Sequence, residues 1–217
     1  MTGSGRRDVR TVTEQARRAQ IVRAAIDTIA ETDYARSSFA AIARRAGLSS
    51  TGMISYHFRD RQDLITEVMR TILADFTAFV VARTEPGTAA DQLAGFLAAN
   101  SAFLREHRHH LVAMLRIQSA STDSAILGEL AAADRAKLAD LLARGQRDGE
   151  FRAFDTDMMA GFVLSLRNGV IARVAAEPDF DLASCTSELL AAVRAATTAV
   201  VSPRTAAPPD RPSASAD

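Results

Sequence analysis

The segment Gly47–Phe58, GLSSTGMISYHF, concentrates short hydroxyl side chains, a tyrosine and a histidine directly after the regular apolar pattern FAAIARRA. Hydroxyl, phenol and imidazole groups at this spacing offer donors and acceptors along one short helix. They lack the carboxylate, thiolate or second base that acid–base or nucleophilic chemistry requires. The chemistry they suit is recognition. Ser50, Thr51, Gly52 and Ser55 make one face free of bulky aliphatics, while Ile54 and Phe58 have the spacing of anchors turned to a core.

Two short helices frame this face. Residues 39 to 46 read as a helix with Ser38 as its N-cap, and Gly47 closes it. Residues 51 to 57 read as the next helix. Two short helices about a glycine turn are the pattern of a helix-turn-helix, whose second helix enters the DNA major groove. A polar surface helix with no ligand satisfies the same periodicity. The charge distribution favours nucleic acid: residues 1 to 70 hold 12 arginines against 8 acids, whereas the whole chain is neutral. Lysine occurs once, so arginine use also reflects the general composition.

Around this front the rest of the chain reads as helical. Alanine and leucine abound and strand alternation is absent. The first helix spans about 14 to 32 and ends at Asp33, in a left-handed turn. Asp60 caps a long helix from 61 to 84, and "EPG" then breaks the chain. Further helices are expected at about 88–106, 109–119, 123–148, 155–177 and 181–201. The fold class is all-α with about nine helices. Residues 1–60 form a front with the helix-turn-helix, 61–201 a longer helical bundle, and 202–217 a disordered tail.

Composition narrows the classes. With 47% hydrophobic and 24% charged residues, the chain has the make-up of a soluble globular protein. The single cysteine, Cys185, excludes an internal disulfide and reads as a small buried thiol of a cytoplasmic protein. No bilayer-spanning run and no secretory leader is expected. No phosphate-cradling loop, nucleophile elbow or metal motif is present, so neither enzyme activity nor a cofactor is expected. His107, His109 and His110 invite a metal reading but fall at a helix junction. Asp134 and Asp140 read as solvated helix faces.

Residues 18–69 resemble the DNA-binding region of the tetracycline-repressor (TetR) family. The resemblance lies in IVRAA of the first helix, AETDY at its end, SSFAAIARRAG of the second helix, GMISYHF of the third and DRQDL opening the fourth. It implies a dimeric transcriptional regulator, a repressor released from a palindromic double-stranded operator by a largely apolar small molecule, with 1–60 as its DNA-binding domain and 61–201 as its ligand-binding and dimerisation domain. Activation stays open, and a helical-bundle enzyme or metal-binding protein is the rival reading. Position by position, the resemblance assigns Ser38, Arg44 and Arg61 to phosphates. It puts Thr51, Gly52, Met53 and Ser55 near bases, and Tyr56 and His57 on one strand's backbone. Asp33 replaces a usual glycine, Met53 a common threonine, and Arg45 a frequent acid, which would raise non-specific affinity. The turn from Gly47 to Gly52 is one residue longer than the commonest pattern.

Two further sets follow. The helix at 155–177 is apolar almost all round, and Gly161, Ser165 and Gly169 recur every four residues. With Leu189 and Val193 of the last helix they are assigned to a dimer interface. An effector pocket is assigned to Phe76, Phe79, Phe96, Asn100, Phe103, Met114, Gln118, Phe162, Leu166 and Arg167. Its two amides would otherwise be satisfied inside a dry core.

Overall fold

Capping residues set where the helices begin. The computed structural model describes the backbone of residues 4–120, 125–177 and 179–198, and the side chains of 13–120, 132–177 and 179–198. Among these residues there are nine helices and no strand: α1 (Ser4–Thr32), α2 (Phe39–Arg45), α3 (Gly52–His57), α4 (Arg61–Arg83), α5 (Ala89–Glu106), α6 (Arg108–Ala120), α7 (Ala125–Arg147), α8 (Thr156–Ala176) and α9 (Leu182–Thr197). Ser38, Asp60, Thr88, Asp155 and Asp181 each accept the backbone N–H three residues on, satisfying one orphan donor of the first turn. α1 starts at Ser4, ahead of the expected residue 14. The expected tail, 202–217, lies outside the described residues.

Asp33 ends α1 with φ 119°, and its Oδ1 accepts the N–H groups of Ala35 and Arg36 at 2.6 and 3.2 Å. The carboxylate thereby supplies the local bonding that lets a non-glycine residue hold positive φ. Gly47, with φ 65°, makes the reversal after α2, where a side chain would be strained.

Two cores organise the molecule. The first gathers Ile21, Ile26 and Ile29 of α1, Ile42 of α2, Ile54 of α3, Phe58, and Leu64, Val68 and Ile72 of α4, with Ala113 and Ile117 of α6. The second unites Leu93 and Leu97 of α5, Leu142 of α7, Met159 and Val163 of α8, and Leu189 and Val193 of α9. The front core therefore does not stop at residue 60: half of α4 and one face of α6 belong to it. Cys185 is half-buried against the second core.

Contrary to the sequence expectation, α8 is long and apolar enough, by length and composition alone, to cross a bilayer. One of its faces packs in the second core through Met159, Val163, Val170 and Val174. The other carries Met158, Phe162 and Leu166, exposed at 61, 63 and 48%.

Candidate nucleic-acid interface

α3 is held by its ends. Ile54 and Phe58 are sunk in the front core, which fixes the rotation of the helix and turns the opposite face to solvent. Ser50, Thr51, Gly52, Ser55 and Tyr56 occupy that face, and Tyr56 is 75% exposed. Thr51 is the N-cap residue but makes no side-chain capping bond. Met53 and His57 are half-buried, and the His57 ring meets Tyr56 edge-on at 5.1 Å.

Arginine and glutamine of α1 lock the motif from behind. Arg18 donates to the His57 carbonyl at 2.7 Å, pairs with Glu67 of α4 at 2.9 Å and lies 4.2 Å over the Phe58 ring. Gln20 donates to the Ala46 carbonyl at 2.6 Å. Each side chain satisfies a carbonyl at a helix C-terminus, where the macrodipole favours a donor. Sequence reasoning missed both; they sit on α1, remote from the motif in sequence, and only the fold brings them to it.

The start of α4 is braced in the same way. Asp60 accepts from Asp63 N at 2.8 Å, and Asp63 Oδ2 accepts from Arg59 N at 3.1 Å, a close variant of a capping box. That backbone N–H, above all, holds the Asp63 carboxyl below its ordinary range; the Arg59 and Arg18 charges act in the same direction.

The basic residues divide by partner. Arg36 and Arg44 are exposed, and their guanidinium groups have no partner among the described residues. Arg59 is 86% exposed beside Asp63. Arg45, by contrast, is turned back onto α1: both its terminal nitrogens bond Glu31, and Asp27 lies 3.9 Å from its Nε. Its charge is neutralised there, so the expected gain in non-specific affinity has no basis in this arrangement. Arg61 is also turned inward. It donates to the Ser37 carbonyl at 2.6 Å, to Ser37 Oγ at 3.0 Å and to the Tyr34 carbonyl, and it stacks 4.6 Å from the Tyr34 ring. Its guanidinium ties α4 to the turn before α2 and is not presented to a phosphate. Ser38 remains exposed although its hydroxyl caps α2, accepting Ala41 N at 3.2 Å.

The effector set does not converge as the sequence suggested. Phe76 and Phe79 pack edge-on against Phe103 at 5.2 and 5.3 Å, and His107 stacks on Phe103 at 4.6 Å. Phe96 and Met114 are partly buried against the second core, and Gln118 is half-buried. Asn100 is buried and donates to the Phe96 carbonyl at 2.7 Å, so its amide is satisfied within its own helix. Phe162 and Leu166 stand on the solvent face of α8, because the same helix spends its other face on the core. Arg167 is mostly buried and 3.5 Å from Asp134; burial lowers its pKa and Asp134 opposes that shift. Of the interface set, Leu189 and Val193 are 7 and 3% exposed inside their own chain, facing the second core instead of outward. Gly161 is half-buried, and Ser165 and Gly169 are exposed.

Of the histidine trio, His107 and His110 meet edge-on at 5.2 Å while His109 turns away to α1. His107 joins the phenylalanines, His109 Nδ1 meets Asp27 at 2.7 Å, and His110 Nε2 meets Asp75 at 3.2 Å. Among the described residues no group of three such side chains is placed to hold a metal ion.

Residues 21–68, from α1 into α4, match the family model of bacterial regulatory proteins, tetR family. The match covers the helix-turn-helix and the helices on either side of it, and not the bundle behind them. Its front is 42% identical over 62 residues to the HTH-type transcriptional regulator BetI of Stenotrophomonas maltophilia, covering 29% of this chain and 31% of that one. It is 35% identical over 98 residues to BetI of Cronobacter sakazakii, covering 45% and 48%. The matches thus span less than half the length of these curated relatives. The fold extends the likeness over most of the chain. A putative TetR-family regulator from Rhodococcus sp. superposes with a TM-score of 0.73 at 24% identity, over 83% of this chain and 98% of that one. A putative transcriptional regulator from Saccharomonospora viridis, solved in complex with choline, gives 0.74 at 20% identity, over 84% and 97%. These named proteins are regulators of transcription and not enzymes, the class expected from the sequence.

Proposed function

We propose that the chain is a dimeric transcriptional repressor that binds a palindromic operator through α3 and is released by a small molecule. The observation that carries the reading is the α3 face. Ser50, Thr51, Ser55 and Tyr56 are solvent-facing on a helix whose back is pinned by Ile54 and Phe58, within the segment that matches the family model. Arg36 and Arg44 flank it with unpaired charge, as phosphate contacts require.

A two-fold operator requires two such faces held one helical turn of DNA apart, hence a rigid dimer. Met158, Phe162 and Leu166 form a stripe at helical spacing on α8, with Gly161, Ser165 and Gly169 alongside. An added methyl at Gly169 would meet nothing within 4 Å, so a second helix has room to approach. A second copy covers this apolar stripe in our reading.

α6 supplies a route from bundle to front, since its Ala113 and Ile117 sit in the front core while Leu111 sits in the other. A ligand that binds the two orientations of α6 unequally would shift DNA affinity. A quaternary ammonium such as the choline of the S. viridis complex would find the Phe79 face taken. The face of Phe79 already holds the Arg83 guanidinium 3.5 Å from its centroid, with Arg83 paired to Glu106 at 3.1 Å. A cytoplasmic location follows from the reading as a DNA-binding protein.

An electrophoretic shift with the DNA flanking the gene itself tests the reading. A retarded band competed by the unlabelled fragment but not by random DNA is expected. Equal competition by both would remove sequence-specific regulation.

A further inference from the structure

A groove of about 640 Å³ runs between the first half of α5 and the second half of α9, with Glu150 and Phe151 also lining it. It exists because the facing residues are short: Ala90 and Ala94 of α5 oppose Ala191 of α9. Beneath them Leu93, Leu97 and Val193 are buried and present apolar surface to the opening. The walls are fixed by the chain after α7. Phe151 sits where a side chain on Gly145 would collide with it, and Arg152 binds the last turn of α9 through the Thr197 and Ala196 carbonyls at 2.9 and 2.8 Å.

The charges at the rim are not equivalent. Both oxygens of Glu150 are taken by the Ala89 and Ala90 N–H groups, at 3.1 and 2.8 Å. Asp91 accepts the Thr88 hydroxyl at 2.7 Å in the same first turn of α5. Both acids keep their charge, but each is engaged by hydrogen bonds in the first turn of α5, whose N-terminal dipole offsets it in part. Of the arginines around the groove, Arg144 donates to Gln92 at 2.6 Å and Arg152 is held as above. Arg194 lines the groove, and its guanidinium has no partner among the described residues. Among the charged side chains that line the groove, the Arg194 guanidinium is thus the one left without a hydrogen-bonded partner among the described residues, beside an apolar slot of ligand size.

We infer that this groove binds an amphipathic monocarboxylate, its apolar body lying over Leu93, Leu97 and Val193 and its carboxylate on Arg194. The inference depends on the repressor reading only for what binding does to DNA, not for binding itself. Neither the groove nor Arg194 belongs to the effector set assigned from sequence.

Calorimetric titration of the full chain with decanoate, and with decanol as the uncharged control, tests it. Saturable decanoate binding is expected, with decanol weaker by about tenfold. Arg194→Gln should weaken decanoate by about tenfold and leave decanol unchanged. Ala94→Phe, at an exposed position on the groove wall, should fill the slot and abolish both. Equal affinity for acid and alcohol, indifference to Ala94→Phe, or no heat up to about 1 mM ligand would overturn the site. Operator shifts run beside these titrations separate the two readings. Decanoate bound at this groove without release of DNA leaves the site standing and removes it as the effector site.

Discussion

His109 Nδ1 lies 2.7 Å from Asp27 Oδ1 and so joins α6 to α1, while the same carboxylate stands 3.9 Å from Arg45 Nε at the end of α2. One acid on α1 thus touches both the bundle and the helix-turn-helix. The contact is about half exposed, which decides its energy: such pairs contribute ~0–1 kcal/mol. The buried neighbours Ala113 and Ile117 must carry the docking of α6. A double-mutant cycle of His109→Ala with Asp27→Asn, read by chemical denaturation, should give a coupling below about 1 kcal/mol. Ile117→Ala alone should cost ~2–5 kcal/mol. A coupling larger than the Ile117 cost would reverse this order.

The three arginines of the motif should behave differently in salt titrations of DNA binding. Arg44→Ala should lower the slope of log affinity against log salt by about one unit, because an exposed unpaired charge is lost. Arg45→Ala should leave the slope unchanged, its charge being spent on Glu31. Arg61→Ala should leave the slope but lower the unfolding midpoint. Arg61→Lys should not rescue it, since an ammonium lacks the fork that reaches Ser37 and Tyr34 together. A slope change with Arg61→Ala at unaltered stability would return Arg61 to the phosphates.

Base preference should reside in the exposed hydroxyls. Replacing Thr51 or Ser55 by alanine should change selectivity at one or two operator positions by ~1–3 kcal/mol while sparing affinity for random DNA. Selection of preferred sites from a randomised pool measures this. Equal loss on specific and random sequences would assign these residues to backbone contacts instead.

Why some residues were legible from sequence and others not follows from how local their determinants are. Ser38, Asp60 and Asp33 act within three residues of themselves, so their capping and turn roles could be read directly. Ile54 and Phe58 were legible by spacing. Arg45 and Arg61 were not: a long side chain reaches acceptors on either side, and only the packing of α1 shows that Glu31 and Tyr34 are nearer than any outside partner. Phe162 and Leu166 were misplaced because α8 is apolar all round, and periodicity cannot rotate such a helix. Leu189 and Val193 failed likewise, as α9 spends its apolar stripe on its own chain. The α5–α9 groove joins residues about 100 positions apart.

Asp63 supplies a pH signature. Its folded pKa is depressed, chiefly by the Arg59 N–H, so its ionised form stabilises the start of α4 above the ordinary carboxylate range. That contribution is lost as pH falls through the folded pKa. The stability difference between wild type and Asp63→Asn should therefore be present at neutral pH and vanish in acid. Urea midpoints across pH 3 to 7 check it; a difference that grew on acidification would have the wrong sign.

Dimerisation should depend on the outer stripe of α8 and not on the apolar stripe of α9. Phe162 is 63% exposed and Leu189 is 7% exposed in the single chain, so the two substitutions separate assembly from folding. Phe162→Glu removes an aromatic from the proposed contact and introduces an unpaired charge, which is costly once desolvated. Because the residue is exposed in the chain itself, its own fold should tolerate the change. Sedimentation of Phe162→Glu should show monomer at concentrations where the wild type is dimeric, with unchanged helix content and a half-site affinity for DNA too weak to shift. Gly169→Leu, which places a branched side chain on the same face, should weaken the dimer by ~1–3 kcal/mol. Leu189→Ala should instead leave the assembly state alone and cost ~2–5 kcal/mol of folding stability. A dimer that survived Phe162→Glu intact would show that the two copies meet elsewhere.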